Sequence, residues 1–201
     1  MLDFYFIRHG QTQWNVDKKL QGRTDICLNQ CGQEQIRNYQ LPANLNDIQW
    51  FTSPLLRAVE TAELLKVKAI VTPELIEMSW GEWEGWCIAQ LRQDDSQNCA
   101  EQEVRGLDLT PPAGESPRIV GERVTNWARL REIEYQQRSE NTHHKLGCVT
   151  HKGVIRAIYA LASGWNMQDK APDKLDFHCC QHFTFQDGVW SIAELNIKLC
   201  K

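Results

Sequence analysis

No stretch of this chain approaches the roughly 18 consecutive apolar residues of a membrane span, and no charged n-region with a signal-like apolar stretch opens it. The expectation is a soluble, cytoplasmic protein with no membrane partner. A basic surplus is missing as well: 22 Lys and Arg face 26 Asp and Glu for a net charge of −4, so bulk charge offers nothing to nucleic acid or an anionic surface. Any anion site must be built locally. Repeats and low-complexity linkers are also absent, which leaves 201 residues to form one sizeable core, read as a single domain over 1–201. No oligomeric state is implied.

Paired C-x-x-C spacing is a further absence. Cys27, Cys31, Cys87, Cys99, Cys148, Cys179, Cys180 and Cys200 are scattered, and a chain of this length needs no disulfide staples, so they read as free thiols. His178, Cys179, Cys180 and His182 in "FHCCQH" are all potential zinc ligands. Adjacent cysteines on a strand point to opposite faces, however, and no metal site is expected there.

What is present alternates. Phe4 to Ile7 form a block of aromatic and β-branched residues that reads as a buried strand. "LNQCGQEQIRNYQL" reads as a helix with Asn29 as its N-cap, and "DIQWFTS" as a strand. In "SPLLRAVETAELLKV", Ser53 is a candidate cap, Pro54 suits a first helical position, and Leu55, Val59 and Ala62 follow helical spacing. "AIVT" is a short strand. A polar insertion at about 88–118, with Pro111, Pro112 and Gly114, reads as an irregular surface excursion. Val120, Val124, Trp127 and Leu130 mark one side of a long helix. "KLGCVT" is a strand, "VIRAIYALASG" a nearly all-apolar helix ended by Gly164, and two last strands flank Asp187-Gly188. This order predicts an α/β, three-layer sandwich: a mainly parallel sheet with helices on both faces.

Three places share one local grammar of strand, polar turn and helix: Arg8-His9-Gly10, Ser53 to Arg57, and Thr150-His151-Lys152-Gly153. In a parallel sheet such turns lie at one carboxyl edge, where open α/β sheets bind ligands. Arginines and histidines converging on helix N-termini describe a phosphate pocket.

At this point the chain resembles the histidine phosphatase superfamily, also called the phosphoglycerate mutase-like family. The resemblance rests on "FIRHGQTQWN", "LQGRTDICLNQCG", "TSPLLRAVETAELL", "ELIEMSWGEWEG", "PAGES" and "VTHKGVIRAI", which match in order and spacing. It implies that His9 is a nucleophile carrying a phosphohistidine, that Arg8, Arg57 and His151 bind the phosphoryl oxygens, and that Glu77 donates the proton to the leaving oxygen. Thr12, Asn15, Gln21 and Gly22 fall where the family makes further phosphate or substrate contacts. Spacing does not choose among Glu77, Glu82 and Glu84; the resemblance selects Glu77. Trp80, Trp83 and Trp86 recur every third residue, as an aromatic wall of the cleft or as packing beneath its loop. Lys152 is a departure, standing where relatives often have glycine, as a rim lysine or a contact to an acidic substrate group.

The resemblance thus implies a metal-independent phosphomonoesterase without cofactor, acting on a small phosphorylated metabolite. The short insertion and Gly114-Glu115-Ser116 favour the phosphatase branch, with an α-ribazole phosphate type as a narrower version. A phosphoglycerate mutase and a non-catalytic phospho-ligand or partner-binding protein are the alternatives.

Overall fold

The computed structural model describes residues 1–94, 96–137 and 144–199. Its strands are β1 (Leu2–Arg8), β2 (Gln49–Thr52), β3 (Ala69–Val71), β4 (His144–Thr150), β5 (Cys180–Gln186) and β6 (Val189–Ile197). They form one open sheet in the order β3-β2-β4-β1-β5-β6. The first four run parallel, and β5 and β6 are antiparallel additions at one side. The helices are α1 (Gln13–Val16), α2 (Gln30–Arg37), α3 (Leu56–Leu64), α4 (Ile88–Asp94), α5 (Ser96–Glu103), α6 (Pro117–Gln137) and α7 (Lys152–Ser163).

Strand periodicity divides the core into two layers. In β1, Phe4 and Phe6 join Phe51, Phe183 and Trp190 under Val120, Val124 and Trp127 of α6 and Ile155 and Ile158 of α7. Tyr5 and Ile7 point to the other face and pack with Trp50, Val149 and the α3 residues Ala58 and Ala62. Apolar residues on both faces of a parallel strand require cover on both sides, which gives the expected three layers.

The ends of the central strands are level. Arg8 pairs with Thr150 and Thr52 with Val149. The next residues extend the ladder, because His9 N donates to Thr150 O at 2.9 Å and Ser53 N to Val149 O at 3.0 Å. All three polar turns therefore leave the sheet at one edge, fixed by backbone bonds.

Local signals hold in most places. Asn29 caps α2, its side chain accepting from Gly32 N at 2.7 Å, and Asp187 and Gly188 turn the last hairpin with φ of 51° and 81°. Three details depart. α3 starts at Leu56 rather than at Pro54, and Leu56 N donates to Asp25 Oδ1 at 2.8 Å; a residue remote in sequence supplies the cap. Leu130 is 58% exposed while Ala128 and Tyr135 are buried, so the apolar stripe of α6 runs beside Leu130. The stretch read as irregular holds α4 and α5, and Leu91 and Cys99 close with Trp83 into a small separate core.

Cys27 and Cys31 are exposed free thiols and Cys148 and Cys180 buried ones; Cys200 lies outside the described residues. The "FHCCQH" side chains part company. Cys180 enters the α3-side core, His182 bonds Asp3 at 2.8 Å, and His178 bonds Gln35 at 2.6 Å.

Candidate active site

The three turns meet at a cavity of about 780 Å³ lined by Arg8, His9, Arg57 and Glu77, among others. His9 is buried, with Nδ1 at 2.7 Å from its neighbour's carbonyl, Gly10 O. A carbonyl only accepts, so Nδ1 carries the imidazole proton and Nε2 keeps its lone pair. Burial holds the His9 pKa well below the ordinary histidine range, and the charges of Arg8 and Arg57 act in the same direction against the Gly10 bond.

Arg57 is fully buried. Its Nη1 donates to Thr24 O at 2.9 Å and its Nη2 to Gly22 O at 2.7 Å, which aims the guanidinium from α3 across the cavity floor. The Nε atoms of Arg8 and Arg57 are buried with no hydrogen-bond partner among the described residues. Burial lowers the pKa of both arginines and the Glu77 charge opposes it. Guanidiniums remain cationic through such changes.

His151 is fully buried at the N-cap of α7, its ring 5.1 Å from that of His9. It is not part of the cavity lining. Its Nε2 is 2.6 Å from Ser53 Oγ, and Nδ1 has no partner among the described residues. Burial, followed by the charge of Arg57, holds its pKa well below the ordinary range.

Glu77 reaches the same cavity from the loop after β3. Its Oε1 accepts from Met78 N at 2.9 Å and its Oε2 from Gly153 N at 3.2 Å. Burial raises its pKa above the ordinary carboxyl value, opposed by those two backbone bonds and by Arg57 and Arg8. The approach to α7 depends on a glycine, since a Cβ at Gly153 would stand 2.4 Å from Glu77 Oε1. The two other glutamates separate cleanly. Glu82 is exposed, whereas the Glu84 carboxylate accepts from Arg23 N, Thr24 N and Thr24 Oγ1 at 2.8, 2.9 and 2.6 Å.

Asn15, Gln21, Gly22 and Lys152 line the cavity, and Thr12 does not. Thr12 departs from the expected substrate contact. It is fully buried, caps α1, and places its hydroxyl 3.0 Å from Gln21 Oε1, so it arranges Asn15 and Gln21 from behind. The tryptophans split: Trp80 lines the cavity, Trp83 packs in the small core, and Trp86 is exposed.

The sequence pattern of the histidine phosphatase superfamily, branch 1, matches residues 4–198. The chain belongs to the histidine phosphatase superfamily. It is 29% identical to the adenosylcobalamin/alpha-ribazole phosphatase of Escherichia coli, over 96% of this chain and 90% of that protein. The sedoheptulose 1,7-bisphosphatase of Saccharomyces cerevisiae is 28% identical over 82% of this chain and 68% of its own. Among solved structures, the alpha-ribazole phosphatase from Shigella flexneri matches with a TM-score of 0.78 and 26% identity, over 99% of this chain and 98% of that one. Membership makes the chain a phosphatase-family enzyme.

Some residues that shape this superfamily site escaped the sequence reading. Arg123 of α6 donates to the carbonyls of Glu74 and Ile76 and to Glu115 Oε1 at 3.1 Å. Glu115 also receives Arg23 at 3.3 Å, so an Arg-Glu-Arg network braces the segment leading into Glu77. No local pattern announces such a brace. Arg156 also lines the cavity; it stands four residues after Lys152 on one helix, and that spacing was the available signal.

Proposed function

We propose that this protein is a metal-independent phosphomonoesterase acting on a small phosphorylated metabolite through a phosphohistidine. The observation that carries the reading is His9: a buried neutral imidazole whose Nδ1 proton is tied to Gly10 O, with Arg8, Arg57 and Glu77 lining the same cavity. An imidazole is a nucleophile only in its neutral form, and a lowered pKa keeps it so at neutral pH.

In the first half-reaction Nε2 of His9 attacks phosphorus and the ester P–O bond breaks. Glu77 gives its proton to the departing oxygen. In the second half a water oxygen attacks the phosphohistidine, its proton passes to the Glu77 carboxylate, and the P–N bond breaks to release phosphate and neutral His9. Charge spread over the equatorial oxygens is met by Arg8 and Arg57, whose Nε donors await a partner. His151 stands outside the cavity lining, its ring 5.1 Å from that of His9 and its Nε2 2.6 Å from Ser53 Oγ, so its part is to hold the nucleophile's ring in place. Arg8 and Arg57 supply the positive charge a divalent metal would otherwise provide. Asn15, Gln21 and Gly22 extend the contacts outward from the phosphoryl site.

The test is rapid-quench turnover of p-nitrophenyl phosphate in EDTA. We expect an acid-labile, base-stable phosphoenzyme that disappears in His9→Ala. Full activity in that variant, or activity lost to chelator and restored by one metal, refutes the mechanism. Phosphoryl transfer to a glycerate hydroxyl instead of water would mark a mutase, and phosphate binding without turnover a binding protein. The relatives named for α-ribazole phosphate make that ester one arm of a kcat/KM panel.

A further inference from the structure

Above the phosphoryl site, two cations of α7 face the same cavity without an anion to meet them. Lys152 is the first residue of α7 and Arg156 stands one turn further on; both line the cavity. This placement runs against local electrostatics. Cations at a helix N-terminus oppose the macrodipole, and like charges at i,i+4 repel. The first turn of α7 contains no acidic residue to offset them.

Nor does the cavity neutralise them. Its two carboxylates are Glu77 and Glu103. Glu77 is engaged by Met78 N and Gly153 N, and Glu103 accepts from Arg92 at 2.7 and 2.9 Å. Among the described residues the Lys152 and Arg156 side chains make no hydrogen bond and no ion pair. They rest on aromatic faces instead, Lys152 Nζ 5.4 Å from the Phe177 ring centroid and Arg156 Cζ 5.0 Å from that of Trp165. Arg8 Cζ lies 5.9 Å from the same Phe177 ring, which joins the pair to the phosphoryl site. An aromatic face orients a cation without discharging it. In a chain of net charge −4, this local excess of unpaired positive charge calls for an anionic ligand group beyond the one phosphoryl that Arg8 and Arg57 already serve.

We propose that Lys152 and Arg156 form a second anion subsite, so that the substrate is a phosphomonoester bearing an additional carboxylate or phosphate that reaches the first turn of α7. The proposal rests on the phosphatase reading above and names the substrate class of that site.

The experiment compares kcat/KM for pairs that differ by one anion: 3-phosphoglycerate against glycerol 3-phosphate, and fructose 1,6-bisphosphate against fructose 6-phosphate. At least one pair should favour the extra anion by about tenfold or more, equivalent to about 1.4 kcal/mol. The first pair reports a carboxylate and the second a phosphate. In Lys152→Gln/Arg156→Gln the ratio should fall close to one, while Lys152→Arg keeps it. Lys152 is exposed, so Lys152→Gln alone, expected to lose part of the ratio, guards against misfolding caused by removing Arg156 from Trp165. Ratios near one in both pairs, or a ratio retained in the double variant, overturn the subsite. Failure of p-nitrophenyl phosphate turnover overturns the phosphatase reading instead. The subsite is then read from equilibrium binding of 3-phosphonopropionate against propylphosphonate, with the same expected ratio, and equal affinities would overturn it.

Discussion

Glu77 must hold a proton when the ester oxygen leaves, and a free glutamate titrates near 4.3. Burial supplies the upward shift, while the Met78 and Gly153 N–H groups and two arginines restrain it. A bound phosphate dianion adds repulsion and raises the pKa further in the complex. The rate should therefore fall on an alkaline limb as that proton is lost. Glu77→Gln should slow esters with poor alkoxide leaving groups by about a hundredfold or more, yet spare p-nitrophenyl phosphate, whose phenolate needs little protonation. Glu82→Gln, altering an exposed side chain, should leave both ester types near wild-type rates. A leaving-group-dependent loss in Glu82→Gln and not in Glu77→Gln would reassign the acid.

The loop from Gln21 to Thr24 shows how an element without regular structure is held in shape. Gly22 has a φ of +54°, and a Cβ there would stand 1.9 Å from Glu84 Oε1. Glu84 ties the following amides, and the carbonyls of Gly22 and Thr24 in turn hold Arg57. Glu84 is thus a positioning residue for the guanidinium. Glu84→Gln should lower kcat/KM by about tenfold on every ester regardless of leaving group, because hydrogen bonds to a charged acceptor are worth about 1.5–3 kcal/mol. The loss should be non-additive with Arg57→Lys, since the two act through one chain of contacts. Additive losses, or dependence on the leaving group, would remove Glu84 from that chain.

At the scale of the whole molecule, the site places two neutral histidines in a low-dielectric interior, and the fold carries the consequence. Both His9 and His151 have folded pKa values pushed well below the ordinary value, chiefly by burial. Their contribution to stability is fully present above the unfolded pKa near 6.5 and is lost as pH falls toward the folded values. In that window the unfolded chain binds more protons, and stability should drop by up to about 1.4 kcal/mol per pH unit for each histidine. Glu77 acts with the opposite sign. Its raised pKa stabilises the fold at low pH, and that contribution disappears as pH rises from the unfolded value near 4.3 through the folded one. Two histidines outweigh one carboxyl, so urea midpoints should decline from pH 7.5 to 5, with a flatter decline in His9→Gln/His151→Gln. Equal slopes in the two proteins would show that the imidazoles are not the origin.

Much of this architecture is legible in the chain because its causes are local. The buried strand before Arg8 follows from Phe4 to Ile7, the end of α7 from Gly164, and the last hairpin from Asp187-Gly188. The strand-turn-helix grammar at His9, Arg57 and His151 was also local, and parallel pairing carried those residues to one edge of the sheet. What the tertiary structure alone decided depends on contacts between remote segments. Asp25 caps α3, the small Trp83-Leu91-Cys99 core turns a polar stretch into helices, and Arg123 reaches across to brace Glu77. Three nearby glutamates have similar local sequence, and only the packing of Gly153 against one of them separates it from a loop tie and an exposed side chain. Period and turn chemistry act over a few residues and can be read in order. Burial, and the pKa values it sets in His9, Glu77 and His151, is a property of everything packed around them.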